Sequence, residues 1–235
     1  MAVCKGLVIE EIHRLRYCES ILSVRRCCDS YGILFNERYD GQKHNNLRIP
    51  RGISSIDDKK YAVHQIHWLI RRGKAIKRDE PVRQKFYRRI EVTENPITSW
   101  TDTIAMSKSP TVRLPSNFYE GDAEPVGEVV SSLNAQLLAD GQAGVERRSR
   151  RNRLGRKLGE YWQIELEVRV RTRLAILSVE IWFAGQCIGH NREKIPVTWK
   201  FTRDNPETEE DLTDGEEVVE VDPEWEQGLV TFRDE

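Results

Sequence analysis

The sequence contains no apolar run long enough to cross a membrane as a helix. Its N-terminal segment holds only a short apolar stretch, which Glu10 and Glu11 interrupt. A spanning helix needs about 20 consecutive apolar residues, and a signal peptide needs an apolar region of about 7–15. We therefore expect a soluble cytoplasmic protein, located in the host cell if a phage encodes it, with no membrane partner.

Cysteine is scarce and has no metal-binding spacing. The chain has five cysteines and neither a C-x2-C nor an H-x3-H pair. Structural zinc sites usually show such spacings, and an odd cysteine number without a secretory signal favours reduced thiols. We therefore expect free cysteines, no metal and no cofactor.

The C-terminal segment almost lacks positive charge. Residues 204–235 contain 14 Asp or Glu and one basic residue, Arg233. Subtracting these from the totals of 38 and 37 leaves a body with 24 acidic and 36 basic residues, so the body carries +12 and the tail −13. Such a tail cannot fold alone on hydrophobicity, although Trp225 and the residues 229–232 could dock on a folded surface. We expect it to screen the basic body or to contact a host or phage protein.

A basic run dominates the body of the chain. Seven of the eleven residues from 147 to 157 are Arg or Lys. A run of this density suits contacts with phosphates, either from a helix or from an arm that orders on binding, and pairing with the acidic tail is the alternative. We predict nucleic-acid contacts, with DNA favoured over RNA, from Arg147, Arg148, Arg150, Arg151, Arg153, Arg156 and Lys157.

A second basic cluster lies between residues 71 and 89, with Phe86 and Tyr87 interleaved. Aromatic side chains beside basic ones suit base stacking next to phosphate contacts, and they equally suit a strand whose aromatics face the core. The sequence therefore predicts a second nucleic-acid patch at Arg71, Arg72, Lys74, Arg88 and Arg89.

Hydrophobic spacing predicts an α+β protein. Apolar residues recur at helical spacing in 7–28, 61–72 and 129–138, whereas residues 162–171 alternate with period two and form a predicted hairpin with 177–183. Proline and glycine between residues 106 and 127 indicate a linker. We expect a helix and strand unit in 1–105, a linker in 106–128, a basic helix or arm with an antiparallel sheet in 129–203, and the acidic tail in 204–235.

One segment carries a family resemblance. Tyr31–Phe35 is followed, after a polar loop, by KKYAVHQIHWLIRRGKAI at residues 59–76. This arrangement resembles the N-terminal part of phage-type HNH endonucleases, in which a small sheet precedes a helix with a histidine, an aromatic and a terminal glycine, here His64, Trp68 and Gly73. The resemblance covers residues 31–76 and implies a degenerate DNA-binding relative, because the family's catalytic His segment has no counterpart after residue 76.

These features lead to one main hypothesis and two alternatives. We predict a non-enzymatic nucleic-acid-binding protein, encoded by a phage, that uses the arginine-rich arm while the acidic tail modulates binding. The first alternative is a phage protein-interaction factor, either an inhibitor of a host defence or transcription complex or a structural component of the virion. The second is a divergent metal-dependent HNH nuclease that uses His44, His64 and His67. The sequence leaves open whether the protein forms an oligomer.

Overall fold

The computed structural model describes residues 12, 24–44, 49–54, 56, 59–77, 80–92, 97–134, 137–138, 144–151, 157–173, 175–200 and 226–228. These residues are almost entirely β, so the predicted α+β class is wrong. The strands are β1 Val24–Cys27, β2 Ser30–Arg38, β3 Arg51–Ile53, β4 Lys60–Ile70, β5 Ala75–Lys77, β6 Val82–Glu91, β7 Ile97–Ser107, β8 Glu124–Asn134, β9 Val145–Arg151, β10 Lys157–Arg173, β11 Ile176–Phe183, β12 Gln186–Asn191, β13 Ile195–Pro196, β14 Trp199–Lys200 and β15 Glu226–Gly228. A 3-10 turn, Thr111–Arg113, lies between β7 and β8.

Twelve of these strands form one large sheet. Its order is β15-β6-β10-β11-β12-β8-β7-β2-β4-β3, with β13 paired to β11 and β9 paired to β10. The strands pair antiparallel except for β15, which runs parallel to β6. A separate three-stranded sheet has the order β14-β1-β5. Within the described residues, no helix is long and apolar enough to span a membrane.

The large sheet runs across the predicted linker. β6 pairs with β10, and β7 pairs with β8, so strands from both predicted units are hydrogen-bonded to each other. Residues 108–123 connect β7 to β8, and Asp122 holds this loop by accepting hydrogen bonds from the Ser107 hydroxyl at 2.6 Å and the Lys108 amide at 2.9 Å. β8 then begins inside the predicted linker, at Glu124.

The segments with helical spacing are strands for identifiable reasons. Tyr61, Ala62 and Val63 of β4 are buried in succession, and a strand buried on both faces shows no alternation of apolar and polar residues. In β8 the alternation exists, but one buried position is the polar Ser131. Of the predicted helix at residues 7–28, the last part is β1, and most of the rest lies outside the described residues.

The predicted hairpin in the C-terminal half is confirmed. β10 and β11 pair antiparallel with Glu167 opposite Trp182 and Arg173 opposite Ile176. The alternation was visible because one face of β10 is buried and the other is partly exposed. The buried face supplies the centre of the hydrophobic core together with β2, β7 and β11: Ile33, Ile104, Ile164, Leu166, Val168, Val170, Leu177, Val179 and Ile181.

Gly32 permits the close approach of β2 and β4. A Cβ atom at this position would lie 2.6 Å from the backbone oxygen of His67 and 2.8 Å from Ile66 Cγ2. Because the nearest atom belongs to the backbone, Gly32→Ala is expected to lower the free energy of unfolding by about 1–3 kcal/mol, as overpacking does. Gly41→Ala is the control, since a Cβ there meets nothing within 4 Å. Urea unfolding measures both, and equal stability of the two variants would contradict the prediction.

Candidate nucleic-acid interface

The predicted basic arm contains β9, an edge strand of the large sheet, whose partner β10 also pairs with β6 at residues 161–164. β9 pairs antiparallel with the first half of β10, with Arg151 opposite Lys157 and Val145 opposite Ile164. We call residues 145–151 and 157–164 the ribbon. No other described strand pairs with β9, so its outer edge is open in the part of the chain that the structure covers. Residues 147–151 and 157–159 are therefore strand rather than helix, which agrees with the weak helix propensity of Gly159.

Two ribbon arginines are exposed and paired with carboxylates. Arg147 forms an ion pair with Glu160, and its guanidinium lies 5.4 Å from the centre of the Trp162 ring. Arg148 donates to Glu146 Oε2 from Nη2 at 2.8 Å and from Nε at 3.1 Å, which raises the pKa of Arg148. Such exposed pairs contribute only about 0–1 kcal/mol each. A phosphate can therefore replace the carboxylate at little cost.

The other predicted residues of the run are described less fully. Arg150 is half-buried. For Arg151 and Lys157 the structure describes the backbone, in β9 and β10, but not the side chain. Arg153 and Arg156 lie outside the described residues.

Part of the second basic cluster forms an exposed turn between β4 and β5. Arg71, Arg72 and Lys74 are exposed around Gly73, whose φ of 77° suits glycine. The Gly73 amide donates to the Cys27 carbonyl at 2.8 Å, which ties the turn to β1. Arg72 also donates from Nη1 to the Lys108 carbonyl, so part of its hydrogen-bonding capacity serves the fold.

The rest of that cluster is buried and cannot form a surface patch. Arg88 and Arg89 are only 6% and 1% exposed. Arg88 forms an ion pair with Asp102 and lies 4.6 Å from the centre of the Trp100 ring. Burial raises the pKa of the Asp102 carboxyl and lowers that of the Arg88 guanidinium, and the attraction between the two charges opposes both shifts.

Arg89 lies between two tyrosines. It donates to the Tyr61 hydroxyl, and its guanidinium is 5.6 Å from the centre of the Tyr161 ring. Arg88 and Arg89, which the sequence predicts as phosphate contacts, therefore have a structural role in the core instead.

The structure does not bring the ribbon and the β4–β5 turn together. Arg147 is level with Trp162 of β10, whereas Leu69, just before the turn, lines the same small gap in the core as Val170. Eight residues of strand separate Trp162 from Val170, which corresponds to roughly 26 Å. A duplex would have to extend over about eight base pairs to contact both clusters, given its rise of ~3.4 Å per base pair.

A surface that sequence reasoning missed lies on the exposed face of β6, β10 and β11. Lys85 and Glu165 are 2.7 Å apart, and Arg169 and Glu167 are 2.6 Å apart. Arg169 also lies 4.0 Å from the centre of the Trp182 ring. The alternation of Glu and Arg along β10 indicated this face. The residues of β6 and β11 that contact it could not be identified from the sequence of β10 alone. Because positive and negative charges alternate, the face does not favour phosphate.

The three histidines considered for a nuclease site have separate surroundings. His44 is buried, and its Nδ1 accepts the Asp40 amide at 2.9 Å. His64 has a φ of 57° and lies edge-on to Tyr119, with ring centres 5.3 Å apart. His67 packs edge-on against Phe86 at 5.4 Å, and burial lowers its pKa to about 4. In the described ranges no three His, Cys, Asp or Glu side chains are grouped as a metal site.

The HNH resemblance remains a prediction. The segment that carries it is the strand β4 rather than a helix. Its Trp68 donates from Nε1 to the Pro115 carbonyl at 2.8 Å, which anchors the loop before β8.

Comparisons with known proteins place the chain in a family. No curated protein and no solved structure gives a significant match. A family described as a domain of unknown function, DUF8568, matches residues 25–201. This range extends from β1 to just beyond β14 and excludes β15. The match covers well over half of the sequence, and the chain therefore belongs to the DUF8568 family.

Proposed function

We propose that this protein binds nucleic acid, DNA in preference to RNA, through the ribbon, and that the acidic tail modulates this binding. The observation that supports the proposal is the placement of four arginines within the seven residues of β9, on a strand with an open edge. Arginine binds phosphate oxygens in a bidentate manner, and contacts with phosphates position a protein on the duplex. Two of these arginines, Arg147 and Arg148, are exposed and form ion pairs with Glu160 and Glu146.

The test is a salt titration of binding to duplex DNA. Each phosphate contact steepens the slope of log K against log salt concentration by about 0.9. Replacing Arg147, Arg148 and Arg150 together with alanine should therefore flatten the slope by up to ~2.7. The reason is that three counterion-releasing contacts are lost.

A control variant removes the same charge elsewhere. Arg113, Arg192 and Lys194 are exposed and lie outside the ribbon. Their joint replacement with alanine should leave the slope nearly unchanged, since they make no contact with the bound duplex. If both triple variants change the slope equally, binding follows net charge and not the ribbon. If the intact protein shows no salt-dependent binding, the proposed function is wrong.

A second candidate is a protein-interaction factor, and one observation favours it. The edge of β6 pairs with a short strand from the tail, so this edge accepts added strands. Affinity capture after nuclease treatment separates the two candidates. A partner retained after nuclease treatment supports the second, and a partner lost with the nucleic acid supports the first.

A further inference from the structure

The outer edge of β6 is occupied by a strand from beyond the family domain. β15 pairs parallel to β6, with Glu226 opposite Tyr87 and Gly228 opposite Arg89. The family match ends at residue 201, and residues 202–225 connect it to this strand. β6 therefore lies inside the range that the family matches, whereas β15 lies outside it.

Without β15, β6 would end the order of described strands in the large sheet. Its other edge is paired with β10 along its whole length, from Val82 opposite Val170 to Glu91 opposite Tyr161. An edge strand presents a row of N–H and C=O groups that another strand can pair with. β15 also has Cα atoms within 8 Å of β2, so the added strand lies beside two strands of the domain.

Charge contributes only weakly at this edge, because Arg83 and Lys85 are paired with Glu167 and Glu165 and the other two basic side chains are buried. The ten residues of β6 include four basic side chains and one acidic side chain. Two of the basic side chains, Arg83 and Lys85, are 59% and 67% exposed. The tail supplies 14 carboxylates in its 32 residues. Exposed ion pairs such as those of Arg83 and Lys85 are screened by salt, so the carboxylates of the tail can compete for these two side chains.

The pairing is short enough to be reversible. β15 has three residues, so only a few backbone hydrogen bonds hold it on β6, and the net contribution of each is small. Covalent attachment to the domain raises the effective concentration of the segment at the edge. The tail therefore occupies the edge while it is attached to the domain, but a competing strand can displace it.

We propose that the edge of β6 is a strand-acceptor site and that the acidic tail of the same chain is its releasable occupant. The site also bears on the ribbon, because β15 is three strands from β9 in the order β9, β10, β6, β15. This corresponds to roughly 14 Å, which exceeds the screening length of ~8–10 Å at physiological salt but lies within that of ~30 Å at ~0.01 M, so the tail acts on the ribbon at low salt. The tail thus lowers the affinity of the ribbon for phosphates, and this consequence alone rests on the proposed function.

The experiment uses the full chain with the tail strand disabled. Proline lacks an N–H group and disrupts strand pairing, and two consecutive prolines remove at least one donor that faces β6. We therefore compare E226P/Q227P with E226A/Q227A, which has the same charge and keeps both N–H groups. The probe is a labelled synthetic peptide of residues 220–235, and binding is measured by fluorescence anisotropy.

The peptide is expected to bind E226P/Q227P at least tenfold more tightly than it binds the unmodified protein or E226A/Q227A. The same peptide carrying the two prolines should bind none of the three. Equal binding to all three proteins, or no binding to E226P/Q227P, would overturn the proposal. If E226P/Q227P does not fold, a protease site within residues 206–216 releases the tail from the folded chain, and a cut protein that ignores the peptide likewise overturns it.

Duplex DNA separates the acceptor site from the proposed function. At low salt, E226P/Q227P should bind duplex DNA several-fold more tightly than E226A/Q227A. Peptide binding with unchanged DNA affinity supports the acceptor site and overturns its effect on the ribbon. Peptide binding with no DNA binding by any variant supports the acceptor site and overturns the proposed function.

Discussion

Replacing Asp102 with alanine is expected to lower the free energy of unfolding by about 3–5 kcal/mol, the range found when one partner of a buried ion pair is removed. Asp102 is 6% exposed and accepts hydrogen bonds from Arg88 and, at 2.9 Å, from Trp100 Nε1. Its removal leaves the buried Arg88 guanidinium without its opposing charge and Trp100 without its acceptor. Urea denaturation of the variant and the unmodified protein measures the difference.

Two comparisons make this prediction specific to the buried pair. Glu167→Ala breaks an ion pair with Arg169 on the partly exposed face of β10 and should cost at most ~1 kcal/mol. The double variant R88M/D102N removes both buried charges and keeps an acceptor for Trp100, so it should recover most of the stability lost in Asp102→Ala. If R88M/D102N is as unstable as Asp102→Ala, side-chain packing and not charge determines the loss of unfolding free energy.

Acidification from pH 7 to pH 4 is expected to remove about 3 kcal/mol of stability through His67. Burial lowers the pKa of this side chain from 6.5 to about 4. The unfolded chain therefore takes up a proton at a higher pH than the folded chain does. The contribution of His67 is complete above pH 6.5 and decreases as the pH falls towards 4, at ~1.4 kcal/mol per unit.

The measurement compares stability against pH for the unmodified protein and for His67→Gln, which cannot titrate. The stability of the unmodified protein relative to this variant should fall by about 3 kcal/mol between pH 7 and pH 4. His190→Gln, at an exposed position on β12, is the control for the effect of replacing a histidine as such. Parallel pH profiles for His67→Gln and the unmodified protein would contradict the prediction.

The fold could be predicted only where one face of a strand is solvated. β10 and β11 alternate clearly, because Glu165, Glu167 and Arg169 face outward between buried aliphatic residues. β4 has successive buried residues instead, and its apolar positions coincide with helical spacing. No property of residues 60–70 alone reveals that both sides are covered, since the covering strands lie elsewhere in the sequence.

The candidate site, like the fold, could be predicted from the sequence only in part. The basic run was identified from composition, but its ribbon depends on pairing with β10, and its carboxylate partner Glu160 lies on that strand. Arg88 and Arg89 looked equivalent to Arg71 and Arg72 because all four lie in one basic segment. Asp102 and Tyr61, on other strands, provide the contacts that allow the first pair to be buried.

The amount and distribution of charge can be read from the residues alone, because ionisation near neutral pH follows mainly from residue type. A body of +12, a tail of −13 and a basic run at 147–157 hold for any fold of this chain. Which of these charges a partner can reach depends on the fold, since burial and pairing arise between strands far apart in sequence. The fold buries Arg88 against Asp102, exposes Arg147 on the ribbon, and places the tail strand at the edge of β6.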